Sequence, residues 1–150
     1  MTINVSSLRD HVGREIGVSH WFAVPQERVN QFAEATGDYQ WIHVDAARAA
    51  KESPFKTTIA HGFLTLSLIS SLLRDAVHMT GLRMAINYGL NRVRFASPVP
   101  TGSRIRGRFK LASVEPVADG VQAVWQVTVE REDSQKPCVV AEWLVRYYPQ

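Results

Sequence analysis

The segment FAEATGDYQWIHVDAARAAKESPFKTTIAHGFLTLSLISSLL, Phe32 to Leu73, decides how the rest of the chain must be arranged. From Gly62 onward the apolar residues Phe63, Leu64, Leu66, Leu68, Ile69, Leu72 and Leu73 fall nearly all round a helix. Only Thr65, Ser67, Ser70 and Ser71 interrupt them, and these are small enough for close packing. A helix with no charged face over about three turns is expected to be enclosed on most sides. Its first amides have no partner within the helix, and Gly62 brings no side chain to cover them. That helix start is a candidate holder for an oxyanion or a polarised carbonyl oxygen.

The first half of the segment carries two titratable side chains at close spacing, Asp38 and His43. On one α-helix five steps would set them roughly 140° apart, so they would not face one substrate. Gly37 in a left-handed cap position ends the preceding helix. The polar and aromatic residues after it are expected to form a loop that curls both side chains toward one point. Asp45 is placed to cap a short helix through Ala46, Ala47, Ala49 and Ala50.

Outward from this segment, 150 residues make one domain, 1–150. A hydrophobic fraction of 45% supplies a core, and 21% charged residues is ordinary for a globular protein. No stretch reaches the ~18 apolar residues of a membrane span. The start MTINVSSLRDHVGREIGVSH lacks a basic run followed by an apolar block, so no secretory signal is expected. The single Cys138 cannot form an internal disulfide, which fits a cytoplasmic location. A net charge of +3 is not gathered into a tail. The charge alone would allow nucleic-acid binding, and an anionic small molecule fits it equally well; with no basic tail and no aromatic-basic motif, a nucleic-acid partner is not expected.

Residues 3 to 12 have helical spacing at Val5, Leu8 and Val12. Trp21 to Val24 reads as a strand ended by Pro25, and Gln26 to Ala35 as a one-sided helix. The second half reads as strands. Ile86, Tyr88 and Leu90 share one phase and Val93 and Phe95 the other, which predicts a bulge near Asn91. Ile105, Gly107, Phe109 and Leu111 alternate with Arg104, Arg106, Arg108 and Lys110. Val121 to Val129 repeats that alternation, Cys138 to Tyr148 is a last strand, and Asp119-Gly120 and Asp133 to Gln135 supply turns. One enclosed helix with long antiparallel strands predicts an α+β fold in which a sheet curls round that helix.

Gly37-Asp38-Tyr39-Gln40-Trp41-Ile42-His43-Val44-Asp45, followed by Ile59-Ala60-His61-Gly62-Phe63-Leu64, resembles the MaoC-like dehydratases, or R-specific enoyl-CoA hydratases. The later NYGLNRVRFASPVPTGSRI, Asn87 to Ile105, is similar to the same family. Gln40-Trp41 and the YGLNRVRF stretch resemble its NodN-like branch; many other members carry Asn-Pro at 40 and 41. The resemblance implies a hot-dog fold, a homodimer joined at sheet edges, and reversible addition of water to trans-2-enoyl-CoA to give (R)-3-hydroxyacyl-CoA. It implies that Asp38 and His43 activate the water and deliver the proton, in an order left open. The Gly62 amide would polarise the thioester carbonyl. Neither metal nor redox cofactor is implied, CoA arriving as part of the acyl-CoA substrate.

Other residues are candidates on the substrate side. By the resemblance Ser70 lines the pocket. Gln40 and Trp41 lie between the reactive pair, Tyr88 is a candidate to approach the site, and Arg92 and Arg94 are candidates for CoA phosphates. The Arg104 to Lys110 stripe is expected to be a solvated strand face. His61 reads as a local hydrogen-bonding residue at the helix start, or as a second base. No HExxH-type metal spacing appears. A hot-dog acyl-CoA thioesterase and a non-catalytic acyl-binding module remain as alternatives.

Overall fold

A computed structural model describes residues 1–150. The chain opens with strand β1 (Thr2–Asn4) and a 3-10 helix (Val5–His11) capped by the Asn4 side chain. The helix expected over residues 3 to 12 is thus shorter and tighter. Asn4 takes extended backbone, because β1 pairs in parallel with β4 (His78–Thr80). Strands β2 (Glu15–Val18) and β3 (Phe22–Ala23) follow, then helix α1 (Gln26–Thr36), which Gly37 ends at φ 78°.

Helices α2 (Trp41–Val44) and α3 (Ala46–Glu52) lead to α4 (Gly62–Ala76). The Asp45 carboxylate caps α3 through the Arg48 amide at 3.0 Å, as the sequence predicts. The remaining strands are β5 (Leu82–Phe95), β6 (Arg104–Val117), β7 (Gly120–Arg131) and β8 (Val139–Pro149). They form an antiparallel sheet in the order β2-β6-β7-β8-β5, with β3 also on β6.

The sheet wraps α4 as expected of an α+β chain with one buried helix. Leu64, Thr65, Ile69, Leu72, Leu73 and Ala76 are buried against it, and full burial of each large apolar side chain contributes about 1.5–3 kcal/mol. Gly17 on β2 and Gly107 on β6 allow this close approach. A Cβ at Gly17 would stand 2.7 Å from the Ala76 carbonyl oxygen, and one at Gly107 3.2 Å from Leu72 Cβ.

Enclosure is incomplete on one side. Phe63 is 67% exposed and Ser67 also faces solvent, beside the free edge of β5. The expectation that α4 is covered on most sides is corrected to that extent, because no strand follows β5 to close the wrap. The alternating arginines of β6 are paired across the sheet, Arg104 with Glu132, and Arg106 and Arg108 with Glu130, while Lys110 at the end of the stripe is exposed. Arg108 also meets Glu15 of β2.

Candidate active site

The segment after Gly37 is short enough that the chain turns straight from the end of α1 into α2. Asp38 lies in the connection, where its carboxylate accepts the Gln40 amide at 3.3 Å and its side chain remains exposed. His43 lies not in a loop but in the single turn of α2, and it is buried. The turn starts only at Trp41, so one continuous helix does not separate Asp38 from His43. A carboxylate oxygen of Asp38 and one nitrogen each of His43 and His61 lie within 4.8 Å of one another.

The tautomer of His43 follows from its partner. Its Nδ1 is 2.7 Å from the Ile59 carbonyl oxygen, which can only accept, so Nδ1 carries the proton and Nε2 keeps a lone pair. Burial lowers the His43 pKa below 6.5; the Ile59 carbonyl pulls it back up, the neighbouring His61 adds to the lowering and Asp38 opposes it. The imidazole is therefore neutral at pH 7. Gln26 supports the turn from behind: its amide donates to the His43 carbonyl at 2.8 Å, while its oxygen accepts from the buried Thr58 hydroxyl at 2.6 Å.

His61 precedes α4 and is its N-cap residue. Its ring stacks on His43 with centroids 3.8 Å apart and planes 23° apart, and its Nε2 donates to the Asp38 carbonyl oxygen at 3.0 Å. A metal ion bonds in the plane of an imidazole. Two rings stacked face to face cannot both aim a lone pair at one ion, and each already has one nitrogen on a carbonyl. The three donors do not fit a shared metal.

Gly62 begins α4, and its amide is among the unpaired donors of the helix start. A Cβ there would lie 3.0 to 3.2 Å from the Phe95 ring, so any side chain at this position must push the aromatic roof of the helix start aside. A cavity of about 320 Å³ opens here, lined by His43, Phe55, Gly62, Phe95, Ser97 and Cys138 among others. Beyond it, along the uncovered side of α4, runs a trough in two parts. The first, about 280 Å³, is bordered by Leu66, Ser67 and Ser70; the second, about 550 Å³, by Leu73, Val77, Met79, Val145 and Tyr147. Both share Ser70, Asn87 and Trp143.

The substrate-side candidates fall in different places. Ser70 borders the trough. The Gln40 amide bonds to Asp38, and the Trp41 ring lies 4.3 Å beneath the Arg48 guanidinium. Tyr88 is exposed and lies under Arg146 at 3.7 Å. Arg92 and Arg94 pair in register with Glu142 and Val140, whereas Val93 between them pairs with the buried Ala141. They therefore stand on the face away from α4, in a depression with Gln126 and Thr128. Sequence reasoning missed Phe95, Phe55 and Cys138 as cavity residues, since only the fold brings them to Gly62. It also missed Gln26, which has no local signal.

The family description "MaoC like domain" matches residues 7–133. The chain is 52% identical over 145 residues to 3-hydroxyacyl-thioester dehydratase Z of Mycobacterium tuberculosis, spanning 96% of this chain and 95% of that protein. It is 46% identical over 146 residues to nodulation protein N of Rhizobium leguminosarum, spanning 95% and 89%. The R-hydratase PhaJ1 of Pseudomonas aeruginosa superposes with a TM-score of 0.72 at 26% identity, over 93% of this chain and 83% of that one. The sheet wrapped on α4 is thus a hot-dog fold, and the chain belongs to the MaoC-like dehydratase family.

Proposed function

We propose that this hydro-lyase is an R-specific enoyl-CoA hydratase, adding water reversibly across trans-2-enoyl-CoA to give (R)-3-hydroxyacyl-CoA. One observation carries the reading: the Asp38 carboxylate and the neutral His43 imidazole converge beside a cavity that reaches the amide end of α4. The R sense rests on the likeness to the Pseudomonas R-hydratase and the thioester substrate on that to the mycobacterial dehydratase.

In the forward direction the water oxygen bonds to C3, the C2–C3 π pair shifts to form a C1–C2 double bond, and the carbonyl π pair moves onto the thioester oxygen. The Gly62 amide stabilises that developing enolate. His43 Nε2 has the lone pair to take the water proton, the Asp38 carboxylate orients the water and steadies the imidazolium, and the proton then returns to C2. The reaction consumes no redox equivalent, and we assign it neither metal nor redox cofactor. The cavity roofed by Phe95 takes the carrier arm, and the apolar trough takes the acyl chain, with Ser70 at its entrance. Eight residues separate Ser70 from Gly62, so the deeper trough begins about 12 Å along the helix from the carbonyl.

A second copy of the chain completes the assembly in this reading. The free β5 edge carries exposed Met84, Ile86, Tyr88 and Leu90, and the trough beside it is open on that side. Edge-to-edge pairing into a homodimer would cover both. Three of the four cations that alternate along β6, Arg104, Arg106 and Arg108, are held in ion pairs, which disfavours a nucleic-acid partner. The single buried, unpaired Cys138 is consistent with the cytoplasm. No helix is long and apolar enough to cross a membrane.

The test is hydration of crotonyl-CoA by the wild type, Asp38→Ala and His43→Ala. Each substitution should lower kcat about 10²–10⁴-fold with folding retained. Wild-type turnover in both folded variants would remove the mechanism. Thiol release from saturated acyl-CoA without hydration would point to a thioesterase instead.

A further inference from the structure

The hydration chemistry uses Asp38, His43 and the Gly62 amide, but it leaves His61 without a task. This histidine is 3% exposed and touches each of the other three. One ring face stacks on His43 at 3.8 Å; Phe32 of α1 closes in at 4.9 Å between centroids, tilted by 59°. Nε2–H holds the Asp38 carbonyl. The next residue is Gly62 itself, and the His61 carbonyl accepts the Leu64 and Thr65 amides, fixing the first turn of α4 at 3.1 and 3.2 Å.

Nδ1 of His61 is buried without a hydrogen-bond partner. With Nε2 donating to a carbonyl, the neutral ring leaves an acceptor unsatisfied in the interior. A buried polar atom of this kind is unfavourable, and such atoms concentrate where function requires the residue. A phenylalanine would fill the same space between Phe32 and His43 without that cost, so packing alone does not account for histidine here.

We propose that His61 is a positioning residue for the hydration reaction. It clamps the Asp38 main chain and the His43 ring to the start of α4, so that the proton-transfer pair and the oxyanion donor hold one geometry. The inference rests on the hydratase reading above. Misplacement of such a pair by about 1 Å is enough to cost 10²-fold in rate. Charge reinforces the clamp. The ionisable groups facing His43 are Asp38 ahead of α2, His61 ahead of α4, and the Cys138 thiol across the cavity. The neighbouring His61 adds to the lowering of the His43 pKa and so favours the neutral form that accepts from water.

The experiment compares wild type, His61→Phe and His61→Gln in crotonyl-CoA hydration across pH, with urea denaturation of each. His61→Phe keeps the stacked ring but lacks the N–H. It should lose about 10–100-fold in kcat with little change in KM and keep a near-wild-type urea midpoint, relief of the orphaned Nδ1 offsetting the lost bond to Asp38. Without the lowering effect of His61 on His43, the acid limb of its kcat/KM profile should move to higher pH. His61→Gln restores an N–H of similar reach without the imidazole, so it should recover part of kcat while keeping the displaced limb. If His61→Phe does not fold, His61→Gln alone decides: an unmoved limb overturns the proposal. So does a kcat loss in folded His61→Phe that follows a stability loss with no displacement. A wild type inactive on enoyl-CoA would instead refute the hydratase reading itself.

Discussion

Gly62 offers a quantitative check on the helix start. Replacing it with alanine puts a methyl group 3.0 Å from Phe95 Cδ1, 3.1 Å from Cγ and 3.2 Å from Cδ2. Carbon pairs rest at about 3.5–4.0 Å, so the ring must withdraw by roughly half an ångström or more. Overpacking of this kind costs about 1–3 kcal/mol. Phe95 is 47% exposed and has room to swing, which puts the cost at the lower end of that range. Alanine is also the better helix former by up to about 1 kcal/mol, less at a helix end. The net loss in wild type should be about 0–1 kcal/mol. In a Phe95→Ala background the clash disappears, and Gly62→Ala should be neutral or slightly stabilising. The coupling between the two positions is then about 1 kcal/mol or more, well within reach of a double-mutant cycle. Urea midpoints give the stabilities, and crotonyl-CoA hydration run in parallel should show Gly62→Ala impaired beyond its stability loss, because the carbonyl approach is narrowed. An equal cost of Gly62→Ala in both backgrounds would refute the assignment of Phe95 as the reason for glycine.

Three further outcomes are expected. Burial lowers the His43 pKa, so the unfolded chain binds its proton more tightly than the folded one; below pH 6.5 stability falls toward the folded pKa, and the hydration plateau should persist at pH 6.5. A kcat/KM profile already falling above pH 6.5 would contradict this. Tyr147→Phe leaves the fully buried Trp125 Nε1 without its 2.9 Å acceptor and should cost about 1–3 kcal/mol in urea denaturation; a change under about 0.5 kcal/mol would show the bond to be immaterial. Burial raises the Cys138 pKa, so an aromatic disulfide reagent should label the native protein slowly at pH 8 and fast in urea, and equal rates would place the thiol at the surface.

Much of this was legible beforehand, for identifiable reasons. The α4 run and the period-two strands β6 and β7 announce themselves because one buried element and long half-buried ladders leave unbroken patterns. Asp45 and Gly37 perform as capping residues because caps act within one turn. Strand β2 was not foreseen: Ile16 is its one buried residue, and a strand of four has no alternation to show. Nor was β4, where His78, Met79 and Thr80 pair with the chain's first residues. The motif singles out Asp38 and His43, but the geometry of the pair depends on distant support. Phe95 arrives from the far end of β5 and Gln26 from the head of α1. Placing Arg92 and Arg94 required knowing which face of β5 they occupy, and the strand's irregular phase conceals that.

That irregularity has a consequence for solution behaviour. Along β5 the pairing slips three times, between Leu82 and Met84, Asn87 and Gly89, and Leu90 and Arg92. Each slip twists the strand and breaks the even spacing of outward amides and carbonyls on which a foreign strand would dock. A regular, flat peptide can follow this border for only a few residues before falling out of step. The exposed Met84, Ile86, Tyr88 and Leu90 along this rim, which would otherwise invite fibril growth, are thereby kept poorly matched to stray β-segments at the concentrations of a crowded cell.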